Sequence, residues 1–341
     1  MTSLPSEGLQ YEGSFQTGTR LTSENPLEEA WSRIAIHGSD DFLREQFSWP
    51  PRQNVEPFIE YAGVRVRQAV EFREATRQST LLTSPLSLYY SFLNLTRAII
   101  CLHSDVLPPG KHHGLTFQRS TDLLSTGARI AAQQGTFTDY LDATGTLWKA
   151  SQVVTLHDAL SRINEIQFDY TRSYGQKSLV IPINVAAYTQ GLIRLHISSS
   201  VYDLSAPTTD WTTELPSLAS CCHVEVGKNT LRVLDAYSRG SYQSVSEFCS
   251  LRLDRSLIWQ DTPDWFLVRQ TDPDLVFPRL AYYFIVVFIL GSIVRYEPEL
   301  LIEMADPKSR SGWFFNKVVQ AAERFYPQLL LSWFHRHPYY F

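Results

Sequence analysis

The pattern of hydrophobic positions changes twice along the chain and divides it into helical and strand-rich regions. Residues 26–175 space their apolar residues as helices do, whereas residues 176–270 hold short β-branched runs in which apolar and polar residues alternate. Helical spacing returns over residues 271–341, and residues 1–25, rich in serine, threonine and glycine, are predicted to be irregular. The expected fold class is α+β: a mainly helical core built from the N-terminal and C-terminal segments, with a β-rich insertion.

Individual elements follow from the same pattern. Helical spacing predicts helices over Pro26–Ile36, Val55–Gln78 (one surface helix or two short ones), Ser84–His103, Ser120–Gln134, Leu156–Ile166, Leu280–Met304 and Gly312–Phe334. Pro298 is expected to kink the helix that begins at Leu280, because proline removes a backbone donor. Strands are predicted over residues 178–185, 191–198, 223–226, 230–234 and 265–269.

The segment Ser84–His103 carries the strongest helix signal. Ser84 is an N-cap residue and Pro85 stands at the first helical position. The residues that follow are apolar on nearly every face, which indicates a helix in the middle of a bundle. Tyr89 and Tyr90 are therefore interpreted first as core side chains.

The apolar run Leu280–Val294 is the only one that resembles a membrane segment. It is shorter than the roughly 20 residues that a spanning helix requires, and Arg279 and Arg295 stand at its ends. We expect a helix buried inside a globular core, with no membrane association.

Composition narrows the class of protein. The chain is 44% hydrophobic and 19% charged, which is typical of folded globular proteins. Its formal charge of −5 argues against a protein-wide basic surface for nucleic acid, although a local basic patch is compatible with it. The four cysteines have no CxxC spacing, and residues 1–10 lack the apolar segment of a signal peptide. We therefore expect a reduced, cytoplasmic protein without a structural metal.

Catalytic fingerprints are absent from the sequence. It contains no phosphate-binding GxxxxGK[ST] loop, no GxGxxG, no HExxH and no GxSxG. No cofactor is expected, and whether the chain is an enzyme stays open at this point.

Arg97 and His103, near the end of the Tyr89-Tyr90 helix, are the candidate catalytic pair. A histidine can move the proton of an RNA 2′-hydroxyl while an arginine stabilises the phosphorane charge, without a metal. On an ideal helix the two side chains point about 120° apart, so the helix must end between them or a second protomer must complete the site. The structural alternative is a buried arginine paired with a carboxylate, and a histidine favoured by the helix dipole.

Other candidates lie in two places. His112 and His113 form an adjacent pair without a third ligand, which is typical of a polar loop. Arg295, with Tyr296 and Glu297, closes the C-terminal apolar run; it can pair with a buried acid, cover an aromatic ring or bind phosphate. An anchor at a helix crossing is the structural alternative.

Three blocks of the sequence resemble the YaaC-like proteins of bacteria. The first is the segment 84–100, with Tyr89, Tyr90 and Asn94; the second is His113 to Leu115; the third is the segment 292–300. Their order and spacing also agree with that family, so the resemblance spans about residues 55–335. It implies a fold and a genomic setting rather than a reaction.

The Tyr89-Tyr90 helix is also similar to one in HEPN domains. These helical modules often form dimers and often serve in toxin–antitoxin and antiphage systems, and catalytic members carry an arginine and a histidine four to six residues apart. Arg97 and His103 satisfy that spacing, although in HEPN domains the pair usually lies on a later helix.

Two functional hypotheses follow. The first is a subunit of a bacterial antiphage defence or stress-response system that acts mainly through contacts with other protein subunits. The second is a HEPN-like, metal-independent ribonuclease with RNA as its substrate, working as a homodimer, in which Arg97 stabilises the phosphate and His103 is the acid and base.

Overall fold

The computed structural model describes a defined part of the chain. It covers residues 19–46, 54–104, 106–108, 112–176, 179–188, 192–197, 223–227, 230–234, 254–257, 263–268, 275, 277–335 and 339–340. These residues form two compact units, one containing the strands between residues 180 and 268 and the other containing the described helices.

Four helices of the larger unit, those that begin at Pro26, Glu56, Ser84 and Pro298, have a proline in the first turn, which is a start signal in the sequence. The helices are α1 (Pro26–Ala35), α2 (Asp40–Gln46), α3 (Glu56–Arg77), α4 (Ser84–His103), α5 (Thr136–Ala143), α6 (Leu156–Leu160), α7 (Gln167–Tyr174), α8 (Arg279–Tyr296), α9 (Pro298–Ala305) and α10 (Arg310–His335). Short 3-10 helices cover Ile36–Gly38 and Asn164–Ile166.

The larger unit also holds short strands. β2 (Leu115–Gln118), β3 (Gly127–Ile130) and β4 (Val153–Thr155) form an antiparallel sheet in the order β2-β3-β4. β1 (Thr19–Arg20) pairs with β11 (Tyr339–Tyr340).

The second unit contains one antiparallel sheet in the strand order β7-β8-β6-β5-β10-β9. Its strands are β5 (Val180–Tyr188), β6 (Leu192–Ile197), β7 (His223–Gly227), β8 (Thr230–Leu234), β9 (Asp254–Leu257) and β10 (Pro263–Val268). The α+β, mainly helical fold class is confirmed, and the strands lie within the predicted strand-rich region, residues 176–270.

Helix α4 lies at the centre of the larger unit, in contact with α3, α5, α8 and α10. Its Phe92 ring stacks on Tyr326 of α10 with centroids 3.6 Å apart. Tyr89 is fully buried and meets Phe284 and Phe288 of α8 edge to face. The prediction of a buried central helix is confirmed.

Helix α8 is apolar on all sides, and the rest of the protein covers residues 279–293 on every side. It is the one described helix that is long and apolar enough to cross a membrane, yet 83% of it is buried within the protein. That burial is typical of the core helix of a soluble protein. A break at Glu297 separates α8 from α9, so the predicted kink near Pro298 is a boundary between two helices.

The predicted helix over Ser120–Gln134 is wrong. Its central residues form strand β3, in which Ala128 and Ile130 are buried while Arg129 between them is exposed. β3 pairs with β2 on one side and β4 on the other, and these partners lie outside the sequence window that shows the helical spacing. Backbone pairing with distant strands therefore decided the local structure.

Candidate functional site

One face of α4 carries polar side chains at helical spacing. Tyr90, Asn94 and Arg97 recur at intervals of four and three residues, which places them on one side of the helix. Asn94 and Arg97 are buried, with 4% and 7% of their surface exposed, and Tyr90 is half-buried. Arg65 of α3 donates to Asn94 Oδ1 at 3.2 Å, so a second arginine lies beside this face.

Tyr89 binds a histidine from the loop that precedes β2. Its Oη lies 2.7 Å from His113 Nδ1. Burial raises the pKa of Tyr89 well above its ordinary range, so the hydroxyl stays neutral. Because Nδ1 is occupied by Tyr89, Nε2 is the ring atom of His113 that remains for a ligand.

The backbone around His113 is fixed by a close approach to the start of α5. The amides of Thr136 and Phe137 donate to the carbonyls of His112 and His113 at 3.1 and 2.9 Å. A side chain at Gly135 would lie 2.3 Å from the backbone nitrogen of Gly114, which itself has a φ of +79°. Only glycine fits these two positions.

Arg97 is held at one nitrogen. Its Nε donates to Thr136 Oγ1 at 2.9 Å, and Thr136 Oγ1 donates in turn to the carbonyl of His112 at 3.3 Å. Among the described residues no carboxylate lies within ion-pair distance of Arg97. No described residue accepts a hydrogen bond from its two terminal nitrogens.

Arg295 approaches from the end of α8. Its Nε donates to the carbonyl of Gly291 at 3.3 Å, and its Nη1 lies 3.5 Å from Tyr90 Oη. The guanidinium carbon is 5.0 Å from the centroid of the Tyr296 ring. In the part of the chain that the structure describes, Arg295 also has no carboxylate partner.

These side chains together carry a positive charge. Burial, then the charges of Arg97 and Arg295, lower the pKa of His113, so the imidazole is neutral at neutral pH. Burial, and to a lesser extent the charge of Arg65, also lowers the pKa of Arg97. We call Tyr89, Tyr90, Arg97, His113 and Arg295 together the Arg97–His113 site.

A carboxylate lies near Arg97 without neutralising it. Asp139 of α5 forms no ion pair with Arg97, and burial raises the pKa of its carboxyl group. Each partner only weakly favours the charged form of the other. The site therefore keeps donors and positive charge that an anion can satisfy.

The structure brings most of the predicted site residues together. Tyr89, Tyr90, Asn94, Arg97, His113, Arg295 and Tyr296 lie in or beside the Arg97–His113 site. Glu297 instead forms an ion pair with Arg119, whose Nε lies 2.9 Å from Glu297 Oε2. α4 ends at His103, whose side chain lies outside the described residues, so the pairing of Arg97 with His103 stays a prediction.

Sequence reasoning missed Thr136, Gly135 and Arg65. Thr136 and Gly135 act through contacts with residues more than twenty positions earlier in the chain, which no local pattern displays. Arg65 lies on a helix with many charged residues, where nothing distinguishes it from its neighbours.

Comparison with known proteins gives a family. The family model described as YaaC-like protein matches residues 21–334. The chain therefore belongs to the YaaC-like family. No curated protein and no solved structure matches it.

Proposed function

We propose that this YaaC-like protein binds RNA at the Arg97–His113 site and cleaves it there without a metal ion. The observation that supports the proposal is that two arginines, neither with a carboxylate partner among the described residues, lie near His113. Arg97 is connected to it through Thr136 and His112, and Arg295 contacts Tyr90, which follows the Tyr89 that binds His113 Nδ1. The proposal includes a HEPN-like character for the helical core and a cytoplasmic location, where RNA is available.

The charge balance favours an anion. A buried guanidinium without a counter-charge is costly, and proteins usually compensate it with a carboxylate. Here the chain has 35 acidic residues and an overall charge of −5, yet none of the described ones pairs with Arg97 or Arg295. A phosphate group supplies the missing charge and accepts two hydrogen bonds from a guanidinium at once.

The arrangement also suits the chemistry of RNA cleavage. His113 Nε2 takes the proton of a 2′-hydroxyl while Tyr89 Oη accepts the hydrogen of Nδ1. The 2′-oxygen forms a bond to phosphorus, the bond from phosphorus to the 5′-oxygen breaks, and the imidazolium returns its proton to that oxygen. The products are a 2′,3′-cyclic phosphate and a 5′-hydroxyl.

The arginines serve the transition state in this proposal. The phosphorane carries more negative charge on its non-bridging oxygens than the ground state does, and Arg97 and Arg295 stabilise that added charge. Because these groups are cationic and the imidazole is neutral, the site attracts a phosphate and repels a metal cation.

The experiment compares two histidines. A labelled single-stranded RNA is incubated in EDTA with the wild type and with Arg97→Met, His113→Asn and His103→Asn, after thermal melts have shown that each variant folds. We expect Arg97→Met and His113→Asn to lower the cleavage rate by about 10²–10⁴-fold, whereas His103→Asn cleaves like the wild type.

Two results would contradict the proposal. If Arg97→Met and His103→Asn lose activity while His113→Asn keeps it, Arg97 works with His103 and not with His113. If the wild type does not cleave RNA in EDTA, the catalytic part of the proposal is wrong.

A second function is favoured by a different observation. Phe168 of α7 and Ile302 of α9 are each 71% exposed, and exposed apolar side chains mark protein contacts where they lie together in a patch. They support a subunit of an antiphage defence or stress-response system that acts through other subunits or a second copy. Light scattering of the wild type against a Phe168→Ser, Ile302→Ser variant tests self-association; a monomeric mass for both excludes a homodimer through these residues.

A further inference from the structure

We infer that Tyr296 is a base-stacking subsite beside the Arg97–His113 site, and that the ligand it selects is single-stranded RNA. The inference rests on the proposed function and names the part of the RNA that lies outside the phosphate contacts.

Tyr296 is exposed where the rest of its helix is not. It is the last residue of α8, and 61% of its surface is exposed, whereas Tyr282 and Tyr283 of the same helix are buried. The helix fixes the backbone position from which this ring projects. An exposed ring of this kind is suited to stacking against another flat group.

The ring adjoins the phosphate-binding groups through one side chain. The guanidinium of Arg295 lies over the Tyr296 ring at 5.0 Å, and its Nη1 lies 3.5 Å from Tyr90 Oη. A nucleotide has a flat base and a charged phosphate joined by one sugar. A base that stacks on Tyr296 therefore brings its phosphate to Arg295, which belongs to both subsites.

The carboxylate next to Tyr296 in the chain is already paired with a cation. Glu297 follows Tyr296 in the chain, but its carboxylate pairs with Arg119 at 2.9 Å and is 12% exposed. The side chain of Arg119 is 65% exposed. A backbone phosphate that continues past Tyr296 meets a cation there.

These features favour a single strand over a duplex. Paired bases are already stacked within a duplex and cannot lie on a protein ring, whereas unpaired bases stack readily on tyrosine. Stacking tolerates any base, because every base has a flat face. We therefore expect selection for unpaired RNA with weak preference for sequence.

The test uses ligands that the protein cannot cleave. Fluorescence anisotropy measures binding of a single-stranded 2′-O-methyl RNA octamer, of an octamer with the same backbone but no bases, and of the octamer's duplex. The proteins are the wild type, Tyr296→Leu, Tyr296→Phe and Arg295→Met. Phe168→Leu is the matched control, since Phe168 is an exposed aromatic residue on another helix.

We expect the wild type to bind the base-bearing strand more tightly than the abasic strand or the duplex. Tyr296→Leu should weaken binding of the base-bearing strand about tenfold, the loss typical of one stacking ring, and leave abasic binding unchanged. Tyr296→Phe and Phe168→Leu should bind like the wild type, whereas Arg295→Met should weaken both strands.

The possible failures are distinct. If the wild type binds the two single strands equally, or Tyr296→Leu binds both as the wild type does, the stacking subsite is wrong while the phosphate site stands. If the wild type binds none of the ligands, the proposed function is wrong and this inference falls with it.

Discussion

Two buried arginines of the helical unit have opposite surroundings. Arg279, at the start of α8, is 5% exposed and donates to Glu165 Oε1 at 2.7 Å; the other oxygen of that carboxylate accepts from Tyr283 at 2.9 Å. Arg97, on α4, is 7% exposed and has a threonine hydroxyl as its hydrogen-bond acceptor. Burial alone therefore does not reveal what a buried arginine does.

We interpret Arg279 as a structural charge and Arg97 as a charge that a ligand neutralises. Arg279 and Glu165 neutralise each other, so removing either partner leaves an unpaired buried charge. Arg97 and Arg295 have no carboxylate partner among the described residues, so without a ligand their positive charge lowers the stability of the folded protein. Sites that bind or react commonly lower stability in this way.

The largest effect on stability should come from breaking the Arg279–Glu165 ion pair. Glu165→Ala removes the carboxylate that Arg279 and Tyr283 share and should lower the free energy of unfolding by about 3–5 kcal/mol. Glu74→Ala is the matched control, because Glu74 is an exposed carboxylate beside two arginines, and exposed ion pairs contribute about 1 kcal/mol or less. Urea unfolding measures both, and equal losses would remove the distinction between the two regions.

Removing the charge of Arg97 should not destabilise the protein in the same way. Arg97→Met replaces a buried, unneutralised charge with an apolar side chain of similar length. We expect its free energy of unfolding to stay within about 1 kcal/mol of the wild type or to rise, because the lost hydrogen bond to Thr136 is offset by the charge that no longer needs burial. A loss above about 3 kcal/mol in the same urea experiment would make Arg97 a structural residue.

The smallest effect concerns the protonation of two histidines. The charges of Arg97 and Arg295 help burial to lower the pKa of His113, so Arg295→Met should raise that pKa toward its ordinary value of 6.5. His37 is buried against Phe42 and Phe334, where burial lowers its pKa to about 4, and it should not respond. NMR titration of the imidazole protons measures both; equal shifts would mean that the variant has changed the whole fold.

The same pKa shift gives a pH dependence of stability. Because the folded state binds the proton of His113 less readily than the unfolded state, its contribution is complete above pH 6.5 and is lost as the pH falls through the lowered pKa. Arg295→Met should therefore reduce the loss of stability on acidification below pH 6.5. A slope unchanged from the wild type would show that Arg295 does not act on His113.

The sequence was sufficient for the elements whose signal is local. Helix α4 follows from Ser84, Pro85 and its continuous apolar face, and α8 from the apolar run Leu280–Val294. It was insufficient for β3, whose pairing partners are distant. Arg97, His113 and Arg295 were candidates from the sequence, and the structure places all three in the Arg97–His113 site, whose function stays a prediction.

What the sequence could not provide was the combination of those residues. The histidine spaced suitably from Arg97 along the chain is His103, whereas the histidine whose described contacts place it beside Tyr89 is His113. The close approach of Gly114 and Gly135 creates that arrangement, and a glycine in a loop gives no sign of which segment it will touch.

The central claim is that the Arg97–His113 site binds a phosphate backbone, and calorimetry with an uncleavable ligand tests it most directly. The 2′-O-methyl RNA octamer is titrated in EDTA into the wild type, Arg97→Met and Arg77→Met, the last removing an exposed arginine that already pairs with Glu28 and Glu74. We predict at least tenfold weaker binding for Arg97→Met, the loss of one charged hydrogen bond, and unchanged binding for Arg77→Met. Equal affinity in all three proteins, or no binding by the wild type, would contradict the account.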